Sequence, residues 1–232
     1  MTRLEGAGKI VFNQIRMENN YPRLVEPWNV QMLELLFPGL KKCASNVPRW
    51  EDSDSPWMIF STDGNNIIRQ IVELTGSEEG VFIHPSADIG EFVKIEGPCY
   101  IGEKVVVRHS AYLRKGTWLC EGSLVGHSTE IKNSVLLPGS KAPHFNYVGD
   151  SIIGHGVNLG AGAKLSNVRN DRREIQIRLE DGTRVNTGLV KLGAIIGDGC
   201  QLGCNVVTNP GTVIPPNSFI SPNESVRGWN FT

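Results

Sequence analysis

The chain has 232 residues, a formal net charge of −1 and 40% hydrophobic residues. That size suits one large or two modest domains with a genuine core, and near neutrality gives no bulk electrostatic pull towards nucleic acid or an anionic membrane. Glycine is frequent at 26 residues while aromatics make up only 7%, which favours many turns and thin repeated layers over a broad globular core.

Residues 1–80 form the first region, expected to be a short α-helical segment. Met1 to Gln14 carries no apolar run behind a basic start, so no signal peptide is read there. Nor does any apolar run approach the ~20 residues that cross a bilayer; the sequence reads as cytoplasmic. Gly6-Ala7-Gly8 is a weak glycine pattern with no clear strand before it. Asn29 is the expected cap of a helix through Met32, Leu33, Leu35, Leu36 and Phe37 that stops near Pro38-Gly39. After a polar stretch, Ile67, Ile68, Ile71, Val72 and Leu74 form one helical face ending before Gly76, with Asp63 or Asn65 as cap. Two short helices bury little alone, so they are expected to pack on the first coil of the C-terminal region.

From residue 81 the texture changes. Ile83, Ile89, Ile95, Ile101, Val107, Leu113, Leu119, Val125, Ile131 and Leu137 recur every sixth position. Small residues such as Ala87, Cys99, Ala111, Ser123 and Thr129 stand four places later. The frame is read as broken at Pro143, resumed at Ile153 and Leu159, broken again, and resumed from Ile196 to Ile220. A period of six fits no amphipathic helix; it marks a parallel β-helix, in which three short strands close each coil. Residues 81–232 are thus expected to be a mainly β solenoid of roughly six coils. The cysteines, Cys43, Cys99, Cys120, Cys200 and Cys204, have neither C-x-x-C spacing nor nearby histidines, so they read as small hydrophobes rather than metal ligands.

The breaks carry the candidate chemistry. Lys141 to Asp150 holds His144, Phe145 and Tyr147, where a structural loop would favour Gly, Ser, Asn and Asp. Histidine is the side chain best suited to take a proton near neutral pH. The second break, about 166–192, alternates Ile175, Ile177 and Leu179 with polar residues up to Asp181-Gly182, which predicts an inserted β-hairpin that leaves the prism. Arg172, Arg173 and Lys191 there are either a solvated face or phosphate contacts.

Particular stretches carry a resemblance. Ala-Tyr-Leu-Arg-Lys-Gly (111–116), Glu-Ile-Lys (130–132), Gly-Ser-Lys-Ala-Pro-His-Phe-Asn-Tyr-Val-Gly-Asp (139–150) and Val-Asn-Leu-Gly-Ala-Gly (157–162) followed by Asn167 resemble the acetyltransferase half of bacterial bifunctional N-acetylglucosamine-1-phosphate uridyltransferase/glucosamine-1-phosphate acetyltransferase. Asp181 to Gly211 is closer to archaeal-type bifunctional sugar-1-phosphate nucleotidylyltransferases that also acetylate amino sugar phosphates. The resemblance spans about residues 83–222 and implies a left-handed parallel β-helix of hexapeptide-repeat acyltransferase type, working as a homotrimer with acetyl-CoA as cosubstrate and no metal. It implies His144 as general base and Asn167 as its positioning partner. Arg114, Lys132, Tyr147, Asn158 and Arg173 are implied as sugar-phosphate contacts, with Arg173 in place of the family's lysine. Ala161, through its backbone N–H, Cys204 and Ser221 are implied on the acetyl-CoA side. Pro143 and Phe145 depart from the commonest bacterial text.

The reaction these residues suit is N-acetylation of an amino sugar 1-phosphate, glucosamine-1-phosphate-like, or a related sugar nucleotide. A non-catalytic β-helix binding or regulatory subunit is the alternative class. A nucleotidylyltransferase is the weakest, because nothing in residues 1–80 resembles that domain's glycine-rich loop.

Overall fold

The computed structural model describes residues 17–18, 21–22, 28–43, 46–51, 55–179 and 181–230. Gly6-Ala7-Gly8 lies outside them. A parallel β-helix runs from Val81 to Val226, with three seven-stranded sheets as its faces. The first face begins at Val81–Ile83, the second at Asp88–Ile89 and the third at Lys94–Ile95. Each face gains one strand per coil, so there are seven coils, one more than the expected six.

The interior is a column of aliphatic side chains. Ile101, Leu119, Leu136, Ile153, Ile196 and Ile214 stack in register along the first face. Val107, Val125, Ala142 and Leu159 do so on the second, and Leu113, Ile131, Val148 and Leu165 on the third. All of these are buried in one cluster.

The register corrects the reading of the first break. Leu119 pairs with Leu136, not Leu137. The step from Ile131 to the next rung is five residues, and the same shortening recurs from Val148 to Ile153. Lys141 to Asp150 is therefore no interruption, because Ala142 and Val148 are ordinary rungs on the strands Lys141–His144 and Tyr147–Gly149. Val135 and Leu137 belong instead to a second apolar cluster outside the prism.

That second cluster explains the N-terminal segment. The first face presents Tyr100, Trp118, Val135, Ile152, Ile195 and Val213 outwards in one register column. Phe82, Tyr100 and Trp118 stack with centroids 5.0 and 4.6 Å apart. Such a face cannot stand in water, and the chain covers it with its own segments. Helix α1 (Trp28–Leu36) contributes Met32 and Leu36, the 3₁₀ turn Pro56–Phe60 contributes Trp57 and Ile59, and helix α2 (Ile67–Thr75) contributes Ile67 and Ile71. The segment reaches well beyond the first coil. Gly39 N–H donates to Asp198 Oδ2 (2.8 Å) on the sixth coil, and Asp198 N–H donates to the Leu36 carbonyl.

Several local expectations change. Asn29 lies inside α1 rather than at its cap. Asn66, not Asp63 or Asn65, caps α2 by accepting from Arg69 N–H at 2.9 Å. Leu74 is 54% exposed. The predicted hairpin is present, Gln176–Arg178 pairing antiparallel with Arg184–Asn186. It leaves the ladder but folds back, because Ile175, Ile177 and Leu179 need burial and find it in the same outer cluster. None of the five cysteines is in a disulfide; Cys99, Cys120 and Cys200 are buried, whereas Cys204 is exposed and does not fit the buried-hydrophobe reading. Burial pushes the Cys99 thiol up to about 12.

The rung column predicts a sharp contrast in stability. Leu119→Ala, at a fully buried rung, should cost about 2–5 kcal/mol. Leu74→Ala on the exposed side of α2 should stay within about 0.5 kcal/mol. Denaturant midpoints of the two variants check this.

Candidate active site

Each prism edge repeats one position per coil, so residues far apart in sequence become neighbours. The edge between the second and third faces carries His109, His127, His144, Ala161 and Cys204 in successive coils. Gly162 N–H donates to the His144 carbonyl at 2.9 Å, and Asn205 N–H donates to the Ala161 carbonyl at 2.8 Å. His144, Ala161 and Cys204 are thus brought into one line. His144 is exposed, and its backbone N–H is fixed by the Asn146 side chain at 3.0 Å. Among the described residues the Ala161 N–H donates to no protein acceptor. Ser221 is exposed and one place before this column, on the last coil.

Close stacking here depends on missing side chains. A Cβ on Gly126 would run into the Pro143 carbonyl, and one on Gly160 into the Gly203–Cys204 peptide. Glycine is the only residue that lets successive coils approach this closely.

The third face carries Arg114, Lys132 and Tyr147. Tyr147 lies opposite Glu130 and Lys164 in the parallel register. Arg114 Nη1 pairs with Glu130 Oε1 at 2.9 Å, and this hydrogen bond raises the Arg114 pKa further. Lys132 is more constrained. Its Nζ lies 3.0 and 3.2 Å from the two oxygens of Asp150, whose side chain is only 4% exposed. Asp150 also accepts from Asn133 Nδ2 at 2.8 Å and from Asn167 Nδ2 at 2.5 Å. Tyr147 Oη donates to Asn167 Oδ1 at 3.4 Å. Burial, then the Asp150 charge, pushes the Tyr147 phenol up, so it stays a proton donor.

The Asp150 knot is a site feature that sequence reasoning missed. The signal available was an aspartate ending the His144–Tyr147 block, at a corner with φ 46°. Aspartate tolerates that left-handed region better than most residues.

The remaining candidates do not all converge. His144 and Asn167 occupy opposite edges of the third face, roughly 10 Å apart by strand rise. No hydrogen bond joins them among the described residues; Tyr147 stands between. Asn158 lies on the second face beside Lys141. Arg173 is exposed at the start of the insertion, where its backbone N–H donates to Asp171 Oδ1 at 3.3 Å. Among the described residues no group of His, Cys, Asp or Glu is arranged to hold a metal ion, and no helix is long and apolar enough to cross a membrane.

The stacked coils, the outward polar third face and the close glycine stacking along one edge define a parallel β-helix of hexapeptide-repeat type. The family described as the GMPPB C-terminal domain matches residues 95–218, more than half of the chain. The protein belongs to that family. Among its relatives, the bifunctional sugar-1-phosphate nucleotidylyltransferase/acetyltransferase of Sulfurisphaera tokodaii is 37% identical over 188 residues, covering 77% of this chain and 46% of that protein. The bifunctional protein GlmU of Methanococcus vannielii is 35% identical over 187 residues, covering 75% and 43%. The chain spans under half the length of these relatives. Among solved structures, the acetyltransferase domain of PglB from Neisseria gonorrhoeae is matched at 15% identity over 74% of this chain and 68% of that one, with a TM-score of 0.33, too low to carry an argument.

The ion pair makes a stability prediction. Asp150→Ala leaves the Lys132 ammonium, 17% exposed, without its carboxylate and frees two amides. Breaking a buried pair from one side costs about 3–5 kcal/mol. Lys132→Met leaves the Asp150 carboxylate still held by the Asn133 and Asn167 amides, and should cost less. Urea unfolding of both variants measures the asymmetry.

Proposed function

We propose that the protein is an acetyl-CoA-dependent N-acetyltransferase acting on an amino sugar 1-phosphate, glucosamine-1-phosphate-like, or a related sugar nucleotide. The observation that carries this reading is the edge column, where an exposed His144 lies one coil from an Ala161 N–H that donates to no acceptor among the described residues. An ammonium is no nucleophile, so a base must take a proton from the acceptor nitrogen, and His144 does this. The freed amine attacks the thioester carbonyl carbon. The developing oxyanion accepts from the Ala161 N–H. The C–S bond then breaks, the nitrogen gives up its second proton as the amide forms, and the sulfur leaves as coenzyme A thiolate, which that proton converts to the thiol. Cys204 and Ser221 continue the edge as the acetyl-CoA side, with no covalent enzyme intermediate.

Arg114 and Lys132 supply cationic charge for the substrate phosphate, with Arg173 available from the insertion. Asn167 acts through Tyr147 rather than directly on His144. Asn158 and the third-face residues flank the same edge from two different faces. A groove between two copies of the chain would use the third face of one and the second face of the other, which supports a homotrimer. A cytoplasmic enzyme supplied by acetyl-CoA and sugar phosphates fits this chemistry.

Two measurements test the reading. Acetyl-CoA at 100 times its Kd should stabilise the native chain by about 2.7 kcal/mol and raise Tm; no shift would favour a non-catalytic solenoid. In a coupled thiol-release assay against amino sugar phosphates and amino sugar nucleotides, His144→Ala should lose about 10²–10⁴-fold in rate with unchanged Tm. A variant as fast as wild type would remove His144 as the base.

A further inference from the structure

The edge that holds His144 changes character along its length. On the C-terminal side stand small groups, Ala161, Gly162 and Cys204. Towards the N-terminus stand rings: Phe145, His127, His109 and Phe92. His109 and His127 stack with centroids 4.2 Å apart and an interplanar angle of 21°. Phe145 meets His127 edge-on at 5.2 Å. The His127 ring is pinned, its Nδ1 lying 3.2 Å from the His109 carbonyl.

Two of these aromatics sit where the backbone disfavours them. The left-handed corner position of this edge is filled by Ser110, Ser128, Gly162, Asn205 and Asn223 in other coils. Phe92 and Phe145 adopt it with φ 58° and 50°, yet are 84% and 59% exposed. A bulky side chain in this region is a genuine outlier. Exposed as they are, these rings return little stability to the fold, and strain of that kind points to a binding role. Beyond His109 the column position in the first coil is Glu91, an exposed carboxylate, and no further ring lies against His109 there among the described residues. Arg108, adjacent and exposed, has no ion pair among the described residues.

We propose that this half of the edge is a base-stacking subsite: the nucleobase of a sugar nucleotide continues the histidine stack over His109, beside Phe92, with Arg108 facing the diphosphate. The proposal rests on the acyl-transfer reading for its substrate class, and selects the sugar nucleotide over the bare sugar 1-phosphate. Spacing supports it. The exposed face of His109, beside Glu91 and Phe92, looks onto a level three coils from His144, about 14 Å at the usual strand separation. A diphosphate and a ribose bridge that span between an acceptor amine and its base, whereas a single phosphate does not.

Equilibrium binding to the full chain, without acetyl-CoA, tests the subsite. The probes are UDP, dTDP, GDP and ADP, each compared with inorganic pyrophosphate. At least one nucleoside diphosphate should bind about tenfold or more tighter than pyrophosphate, as base–aromatic stacking gives. His109→Ala should abolish that preference while His109→Phe retains it, both with wild-type Tm. Equal affinity of all four for the chain, at the pyrophosphate level, would overturn the subsite, as would an unaltered preference in His109→Ala. A fall in particle mass by light scattering in His109→Ala would also overturn it, by assigning the rings to contact with a second copy. Because binding is read without turnover, the two readings separate: loss of thiol release with every acceptor, alongside a retained base preference, would sink the acyl-transfer reading and leave the subsite standing.

Discussion

Everything in this structure depends on one constraint, the in-register stacking of aliphatic rungs inside a prism whose coils hydrogen-bond to each other in parallel. Each coil repeats the previous one a strand spacing away. A residue type placed at an edge therefore meets its counterparts in neighbouring coils, whatever their separation in sequence. Ser151 N–H, for example, donates to Ser134 Oγ one coil below, inside the buried corner. The prism converts sequence period into spatial columns, and the candidate site is one such column together with the face beside it.

The second constraint is the difference between the faces. The outward positions of the first face are apolar, those of the third charged and polar. Water tolerates the third but not the first, so the N-terminal helices and the inserted hairpin both lie on the first. Asp198 fastens this cover by accepting from Gly39 N–H and His155 N–H, at 2.8 Å each. Burial raises its pKa despite these donors. The insertion leaves the ladder after Asn167, next to the Asp150 knot, and its apolar strand returns to the covered face. The edge that carries His144 is left open.

Much of the fold was legible because a six-residue period has few physical solutions. The phase was harder to read. A one-residue shortening after Ile131 leaves Val135, Leu136 and Leu137 as equally apolar candidates, and only the register with Leu119 selects Leu136. The same slip made Lys141 to Asp150 look like a loop. The candidate site was legible in part: His144, Ala161 and Cys204 align on one edge, and Arg114, Lys132 and Tyr147 on one face. The Asp150 contacts were hidden because they join three coils, at Asn133, Asp150 and Asn167, and sequence alone gives no register across them. The separation of Asn158 and Asn167 from His144 was hidden for the same reason. The covered first face was hidden because outward apolar positions carry no period distinct from the interior one.

The proposed acyl transfer turns on where the thioester lies relative to His144. A crystal structure of the full chain with coenzyme A addresses this most directly. The pantetheine arm is expected to run along the Ala161–Cys204 column, with its sulfur end near the Ala161 N–H and beside His144. Coenzyme A seated on the third face, or at an edge that does not carry His144, would contradict the proposed mechanism.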